Sequence, residues 1–515
     1  MVLLTLVLSL VFSVSTISAE ETPSPTVQRA ESFAISPPLR ELASLSPAIP
    51  DGRMTGVASG SNFSLDLSFL ALGNGFPNYI PSTGAPNPSL AVGATQIVQW
   101  TQAVLAVFDK SSGELQSGPI MGNTIWASLG GSCANGDAGE TIVQWDMAHQ
   151  RWVLAESLMT GPPYSTCIAV STSSDALGSY YLYQYGQDSR TPVSPKWAVW
   201  SNGYYQSQGE YDNGGFVGPQ LCAYNSAKLV VGDGSAEQIC FTLSPADGLP
   251  LPADVDSRLA PPANEDEFFM SLWDATHLSL YSLHPDYQNP QNSTVTGNNG
   301  SQFFTVPAFT PACNGAYGGN CVPQKSSPMQ LQVLGDRLMF RLAYWEDAPL
   351  GNVKATAPHP LPSQHWYVVY DSTAAAGNEA PRWYEFTAPI RAVPVTSLAL
   401  FQSGTFAPDS NYRWMGSIAS DKNHDLLMGY SESSSSLYPA IAITGRTISD
   451  PVGTLENELI VIDGSGASPA SAWGNYSTMR IDSDGCTFWY TNEYYLASAS
   501  AWSTQIASAK FAACH

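Results

Sequence analysis

Positive charge is what this sequence has least of. Its 515 residues carry 20 Lys and Arg against 43 Asp and Glu, a formal net charge of −23. Phosphate backbones and anionic membranes are held by clustered Lys and Arg. Nucleic acid and anionic membrane surfaces are therefore excluded as partners, and a polyanionic substrate is disfavoured. An acidic surface tolerates cations, calcium among them; no other cofactor is called for. Charged residues of both signs make up only 12% of the chain, and long amphipathic helical stripes are missing, which argues against an α-rich fold. After the first dozen residues no run is apolar for the ~20 residues that a membrane-spanning helix needs. Catalytic signatures are missing as well: there is no Gly-x-Ser-x-Gly elbow, no His-Glu-x-x-His, no phosphate loop and no dinucleotide fingerprint. The seven His are scattered and no Cys-x-x-Cys occurs, so no metal-ligand set is legible.

What is present points outside the cell. The apolar run Met1 to Phe12, the small residues Ser13 to Ala19 and then Glu20-Glu21 have the layout of a secretory signal, with cleavage expected after Ala19. No Lys or Arg precedes the run. The mature chain is expected to be secreted, with periplasmic or cell-surface placement fitting the same signal. It should retain no membrane span after cleavage and is expected to be a monomer. An even count of cysteines in an exported chain implies disulfides. Local spacing predicts sequential pairing: Cys133–Cys167, Cys222–Cys240, Cys313–Cys321 and Cys486–Cys514. A loop of ~15 residues closed in this way contributes about 3 kcal/mol by loss of chain entropy. Four sequons begin at Asn62, Asn292, Asn299 and Asn475, for use in a eukaryotic secretory host.

Residues 20–60 are rich in Pro, Ser, Thr and Glu and read as an exposed leader or linker. Residues 61–515 read as one domain. From about residue 88, apolar runs of strand length alternate with Gly, Asn, Asp, Ser and Pro clusters. Hairpins are predicted within 97–113, over 142–154, over 229–241, near 278–286, over 329–344, over 414–431 and over 479–490. About seven hairpin-bearing units of roughly 60 residues each fit four-stranded propeller blades with long insertions. An all-β fold, a β-propeller of about seven blades with local disulfides, is the expectation; paired β-sandwiches are the rival.

The densest chemistry is C-terminal. Tyr412 to Ser417, Gly429 to Ser431, Gly445-Arg446, Trp473 to Ser477 and Thr487 to Tyr495 interleave aromatics, Arg and carboxylates on predicted strands. Aromatic faces stack on the C–H faces of sugars, while planar Arg and carboxylate groups take hydroxyls. The expected site gathers Glu493 as acid or base, with Glu385 and Asp421 as second carboxylates. Arg413, Arg446, Trp473 and Tyr476 are its expected ligand-binding residues. The same interleaving would also arise from aromatic packing and Arg–Glu ties between blades. The turn Asp482 to Phe488 resembles a shortened Asp-box of sialidase-type propellers, where the box is structural and lies away from the active site. Asp421 to Asp425 has the start of a calcium loop but lacks its Gly and distal Glu, and reads as a hairpin turn.

Arg413 to Ser417, Trp473 to Ser477 and Cys486 to Tyr495 resemble a family of exported, functionally uncharacterised β-propeller-like proteins. The likeness extends to Ile142 to Trp152 and Lys196 to Tyr205, and so covers most of the mature chain. Where that family usually has Asp after Trp-Gly, this chain has Asn475; if the Asp were catalytic, this chain would be impaired. The resemblance supplies no activity. The functional expectation is a secreted protein that binds or processes extracellular glycans, acting as a hydrolase or lyase if it is an enzyme. The alternative is a non-catalytic scaffold for a protein ligand.

Overall fold

The computed structural model describes residues 23–42, 56–57, 61–81, 84–102, 104–136, 139–159, 161–187, 189–262, 265–297, 301–347, 363–390, 398–497 and 501–515. The expected signal peptide and the Asn299 sequon lie outside the described residues. Within them the protein is all-β, and its helices are single turns. No helix among the described residues is long and apolar enough to cross a membrane.

The strands form antiparallel four-stranded meanders that follow one another along the chain. Unit 1 covers 89–121, unit 2 covers 139–186, unit 3 covers 191–242 and unit 4 covers 251–296. Unit 5 covers 339–405 and unit 6 covers 412–462. Unit 7 is built from both ends of the chain: Thr478–Ile481, Thr487–Tyr494 and Ser503–Phe511, with Phe63–Gly73 pairing antiparallel to the last of these. The first strand of each unit lies against the first strand of the next, and the first strand of unit 7 returns to that of unit 1. Between units 4 and 5 the contact is close enough for parallel pairing, Ala253 with Leu342 through Val255 with Tyr344.

Turn chemistry sets the strand ends. Asp109, Asp146, Asp421 and Asp484 each turn a carboxylate back to accept backbone N–H groups two to four residues on, as from Ser111 and Ser112 at Asp109, or Cys486 and Thr487 at Asp484. Between units, aromatic side chains fill the gap. Trp100, Trp126 and Trp152 pack between units 1 and 2, Tyr183, Trp197 and Tyr204 between units 2 and 3, and Phe69, Phe108 and Trp489 between units 7 and 1. Sheets whose faces are both covered need such bulky filling. All four expected disulfides are present, with sequence separations of 34, 18, 8 and 28 residues. Cys222 and Cys240 face each other directly in register on neighbouring strands.

Three expectations are corrected. The stretch 20–60 is not simply a leader: Thr26–Arg29 adds an edge strand to unit 3 and Ser32–Ile35 adds one to unit 2. Leu229 ends a helical turn, Ser226–Leu229, and the strand Glu237–Thr242 pairs with Gly215–Tyr224 instead of with 229–231. Ser327–Leu334 pairs with Gly318–Gln324 in a separate hairpin, while Met339–Glu346 is the first strand of unit 5. In the last two cases a short apolar run next to a Gly-Asp turn mimics a strand whose partner lies elsewhere.

A buried polar cluster joins the first strands. Arg480 of unit 7 donates to Asp254 of unit 4, Gln144 Oε1 of unit 2 and the Leu90 carbonyl of unit 1. Arg341 of unit 5 donates to Asp254, to Asp256 and to the Met479 carbonyl of unit 7. Asp254 Oδ1 also accepts the Val199 N–H of unit 3. Burial alone would raise the Asp254 carboxyl, yet Arg480 and Arg341 outweigh it and hold it below its ordinary range. Removing one partner of a buried, bonded ion pair costs about 3–5 kcal/mol because the other charge is stranded. Arg480→Met should therefore lower unfolding stability by about that much. Pairing it with Asp254→Asn should restore part of the loss, since Arg341 then still has Asp256; urea midpoints of the parent and the two variants check both.

Candidate functional site

A cavity of about 830 Å³ opens where the first strands of units 4 to 7 end and their following turns meet. Arg258 and Leu259 follow the first strand of unit 4, and Trp345, Glu346 and Asp347 end that of unit 5. Lys422 to Asp425 form the turn after the first strand of unit 6, and Asp484 and Gly485 the turn after that of unit 7. Thr447 to Ser449, Phe511 to Ala513 and Asn62 complete the wall. Its wall carries more carboxylates than bases: Glu346, Asp347, Asp425 and Asp484 against Arg258 and Lys422.

Three side chains converge at its base. His424 Nε2 lies 2.9 Å from Asp347 Oδ1 and His365 Nε2 lies 3.4 Å from Asp347 Oδ2. The two imidazole centroids are 4.4 Å apart. Each ring is oriented from behind. Glu385 Oε1 lies 3.0 Å from His365 Nδ1, and the Tyr367 hydroxyl lies 3.3 Å from His424 Nδ1. Glu385 is held in turn by Gln402 Nε2 at 2.5 Å, and Arg446 donates to Gln402 Oε1. Burial acts to raise the Asp347 carboxyl, but hydrogen bonds from His365 and His424 win and hold it well below the usual carboxylate range. Burial opposes a charged His365; its hydrogen bonds to Asp347 and Glu385 outweigh that and raise it. Asp421, behind the turn, is pushed up to about 7 by burial and by Asp425.

No family model matches the chain, and no curated protein sequence matches it. Among solved structures it is similar to the catalytic domain of the GH62 α-L-arabinofuranosidase of Coprinopsis cinerea, at 12% identity over 63% of this chain and 92% of that one, with a TM-score of 0.27. It is similar to the exo-β-1,3-galactanase of Phanerochaete chrysosporium, at 10% identity over 86% of this chain and 96% of that one, TM-score 0.29. It is also similar to a protein of unknown function from Dyadobacter fermentans, at 7% identity over 87% and 99%, TM-score 0.25.

The residues expected to share one site fall into separate clusters. Glu385 and Arg446 are brought together through Gln402, beside His365 and close to the cavity. Asp421 shapes the turn that carries His424, its Oδ1 accepting the Asn423 and Asp425 N–H groups. Arg413 instead sits in a trio of carboxylates, Asp409, Glu432 and Glu458. Trp473 is buried, donates to Ser431 Oγ and packs on Trp414 and Tyr495. Tyr476 is buried, donates to the Thr141 carbonyl and lies under the Lys196 ammonium. Neither ring is open to a ligand. Glu493 is fully buried and accepts from the Gly474 N–H; its other oxygen has no hydrogen-bond partner. Among the described residues no cation contacts it, and the partner it has is the Gly474 backbone in place of the expected Arg.

Asp347, His365 and His424 were not singled out by sequence, because Asp347 follows the first strand of unit 5, His365 lies in the next strand and His424 belongs to the next unit. The available signal was the Asp421 to Asp425 turn, whose acidic spacing suggested a calcium loop. In the structure the carboxylate of Asp421 serves the turn and its His faces the cavity. Asp484 and Gly485 of the Asp482 to Phe488 turn also line the cavity.

Burial pushes the Glu493 carboxyl up to about 8. A carboxyl whose folded value exceeds its unfolded one keeps a proton that the unfolded chain releases. Its contribution is therefore favourable at low pH and is lost as pH rises from about 4.5 towards 8. Glu493→Gln should change stability little at pH 5 and raise it relative to the parent by ~4 kcal/mol at pH 8. Urea unfolding at the two pH values checks this, and an equal effect at both would contradict it.

Proposed function

We propose that the protein is an extracellular seven-bladed β-propeller whose cavity, at the ends of the first strands of four consecutive units, binds or processes a glycan. The cyclic contact of first strands from unit 1 to unit 7 supports the blade count. The four disulfides suit an oxidising compartment.

The observation that carries the ligand class is the make-up of the cavity wall. Its volume of about 830 Å³ lies within the range of small-molecule pockets. Trp345, Leu259, Ile448 and Phe511 provide apolar surface, and Asn62, Asn423, Thr447, Ser449 and Asp425 provide hydrogen-bonding groups around it. Apolar faces rimmed by such groups match the alternating C–H faces and hydroxyls of a sugar. The acidic balance of the wall favours neutral or cationic glycans over sulfated or uronic ones. If the ligand is turned over, Glu346, Asp347, Asp425 and Asp484 are the carboxylates that face it, with Glu385 behind His365 and Asp421 within the turn of the same wall.

A panel of neutral, amino and acidic oligosaccharides should reveal binding to members of the first two classes. Trp345→Ala should weaken that binding at least tenfold, in line with ~1.5 kcal/mol for a lost aromatic contact, while the disulfide pattern is unchanged. Glycan arrays and isothermal titration check this. Absence of binding to every glycan, together with capture of a protein ligand, would favour the non-catalytic scaffold instead.

A further inference from the structure

We propose that Asp347, His365 and His424 form a binding site for one divalent first-row transition ion of the zinc class. This goes beyond the glycan reading and stands without it, because it rests on the geometry of three side chains.

Each of the three offers one donor atom, and these atoms all lie within 4.8 Å of one another. A four-coordinate ion with bonds of ~2.1 Å holds its donors about 3.4 Å apart. His424 Nε2 lies 2.9 Å from Asp347 Oδ1 and His365 Nε2 lies 3.4 Å from Asp347 Oδ2, so the two imidazole nitrogens meet the two oxygens of one carboxylate at about that spacing. Both imidazoles present the same nitrogen. Glu385 takes the Nδ1 side of His365 and Tyr367 the Nδ1 side of His424, which leaves both Nε2 atoms directed at Asp347. A carboxylate behind a ligating histidine fixes its tautomer and raises its basicity. Here the support extends one shell further, through Gln402 to Arg446.

The donor set selects the ion. Calcium takes six to eight oxygen ligands, and this group offers one carboxylate and two imidazoles. Imidazole with carboxylate suits zinc and its neighbours. Asp347 and His424 also line the cavity, while His365 stands behind them. An ion held there would keep its remaining positions towards the cavity, where water or a ligand oxygen would fill them. Two other such groups among the described residues do not compete. Asp409, Glu432 and Glu458 already have their oxygens engaged by Arg413, and Cys313 and Cys321 near Glu379 are joined in a disulfide.

The test uses the untagged mature chain, stripped with a chelator and dialysed against Zn²⁺, Co²⁺ or Ca²⁺. Elemental analysis should find close to one Zn²⁺ per chain. The Co²⁺ form should show visible bands of a low-coordinate site, and a large excess of Ca²⁺ should displace neither ion. Zn²⁺ should raise the melting temperature of the parent. His424→Ala should lose at least 100-fold in zinc affinity, and its metal-free melting temperature should fall below the parent's because Asp347 loses a buried partner. Glu385→Gln should lose about 10- to 100-fold. Should His365→Ala fail to fold, the His424 variant still decides. Less than a tenth of an equivalent of zinc in the parent, equal affinity in His424→Ala, or displacement by Ca²⁺ would each overturn the proposal. Glycan binding that survives complete metal removal would leave it intact, because metal content is read separately.

Discussion

Asp254 is the residue on which the arrangement of the first strands turns. Its carboxylate receives the guanidiniums of Arg341 and Arg480 and the Val199 N–H, and through those partners touches units 3, 5 and 7. Gln144 brings in unit 2, also donating to the Trp197 carbonyl of unit 3, and Arg480 reaches unit 1 at Leu90. Unit 6 joins at one remove, where Ser417 accepts the N–H of Met479. Burying two arginines and two carboxylates is costly unless every group is bonded. Here the long guanidinium arms span a gap between strand edges that no pair of apolar side chains would bridge with the same directionality. The consequence is register: hydrogen bonds fix each first strand along its axis, where greasy contacts would let it slide.

That register is what the cavity inherits. Arg341 and Trp345 belong to one strand, and Asp347 follows its end; Arg480 lies just before the turn that brings Asp484 and Gly485 to the wall. The side chains that converge on Asp347 come from a strand interior, His365, and from a tight turn, His424. Both are elements whose positions are set by pairing rather than by a free loop. Sites built on such elements hold their geometry better than sites on long loops.

What was legible in the sequence was local. The Asp-centred turns at 109, 146, 421 and 484 and the all-β texture follow from nearest-neighbour chemistry. The disulfides also pair sequentially, as expected for bridges that close units formed by neighbouring strands. The site was not legible, because its residues come from different strands and units and meet only when the strand order is known. The interleaved Arg, Trp, Tyr and Glu of the last hundred residues marked the opposite of an open pocket. In sheets covered on both faces, aromatics fill the space between units, so Trp473, Tyr476 and Glu493 are buried where a sugar cannot reach. The strands at 26–35 were hidden by their composition: four residues each, flanked by Pro and Ser, they gain their partners only from units that follow much later.

Unit 7 takes Phe63–Gly73 from one end of the chain and Ser503–Phe511 from the other, with Gln505 bonded to Ser68 across a separation of 437 residues. At synthesis rates of ~5–20 residues per second, that distance is on the order of 20–90 seconds of waiting. Throughout that interval the edge of Phe63–Gly73 that receives Ser503–Phe511 is unpaired, and Phe63, Leu65, Leu67 and Phe69 are buried once that strand arrives. The early strand is thus an adhesive edge in every partly made copy. A cell that makes this protein must shield that edge for longer than any other part of the chain needs, which places its main folding hazard at the beginning of the sequence and its release at the last strand.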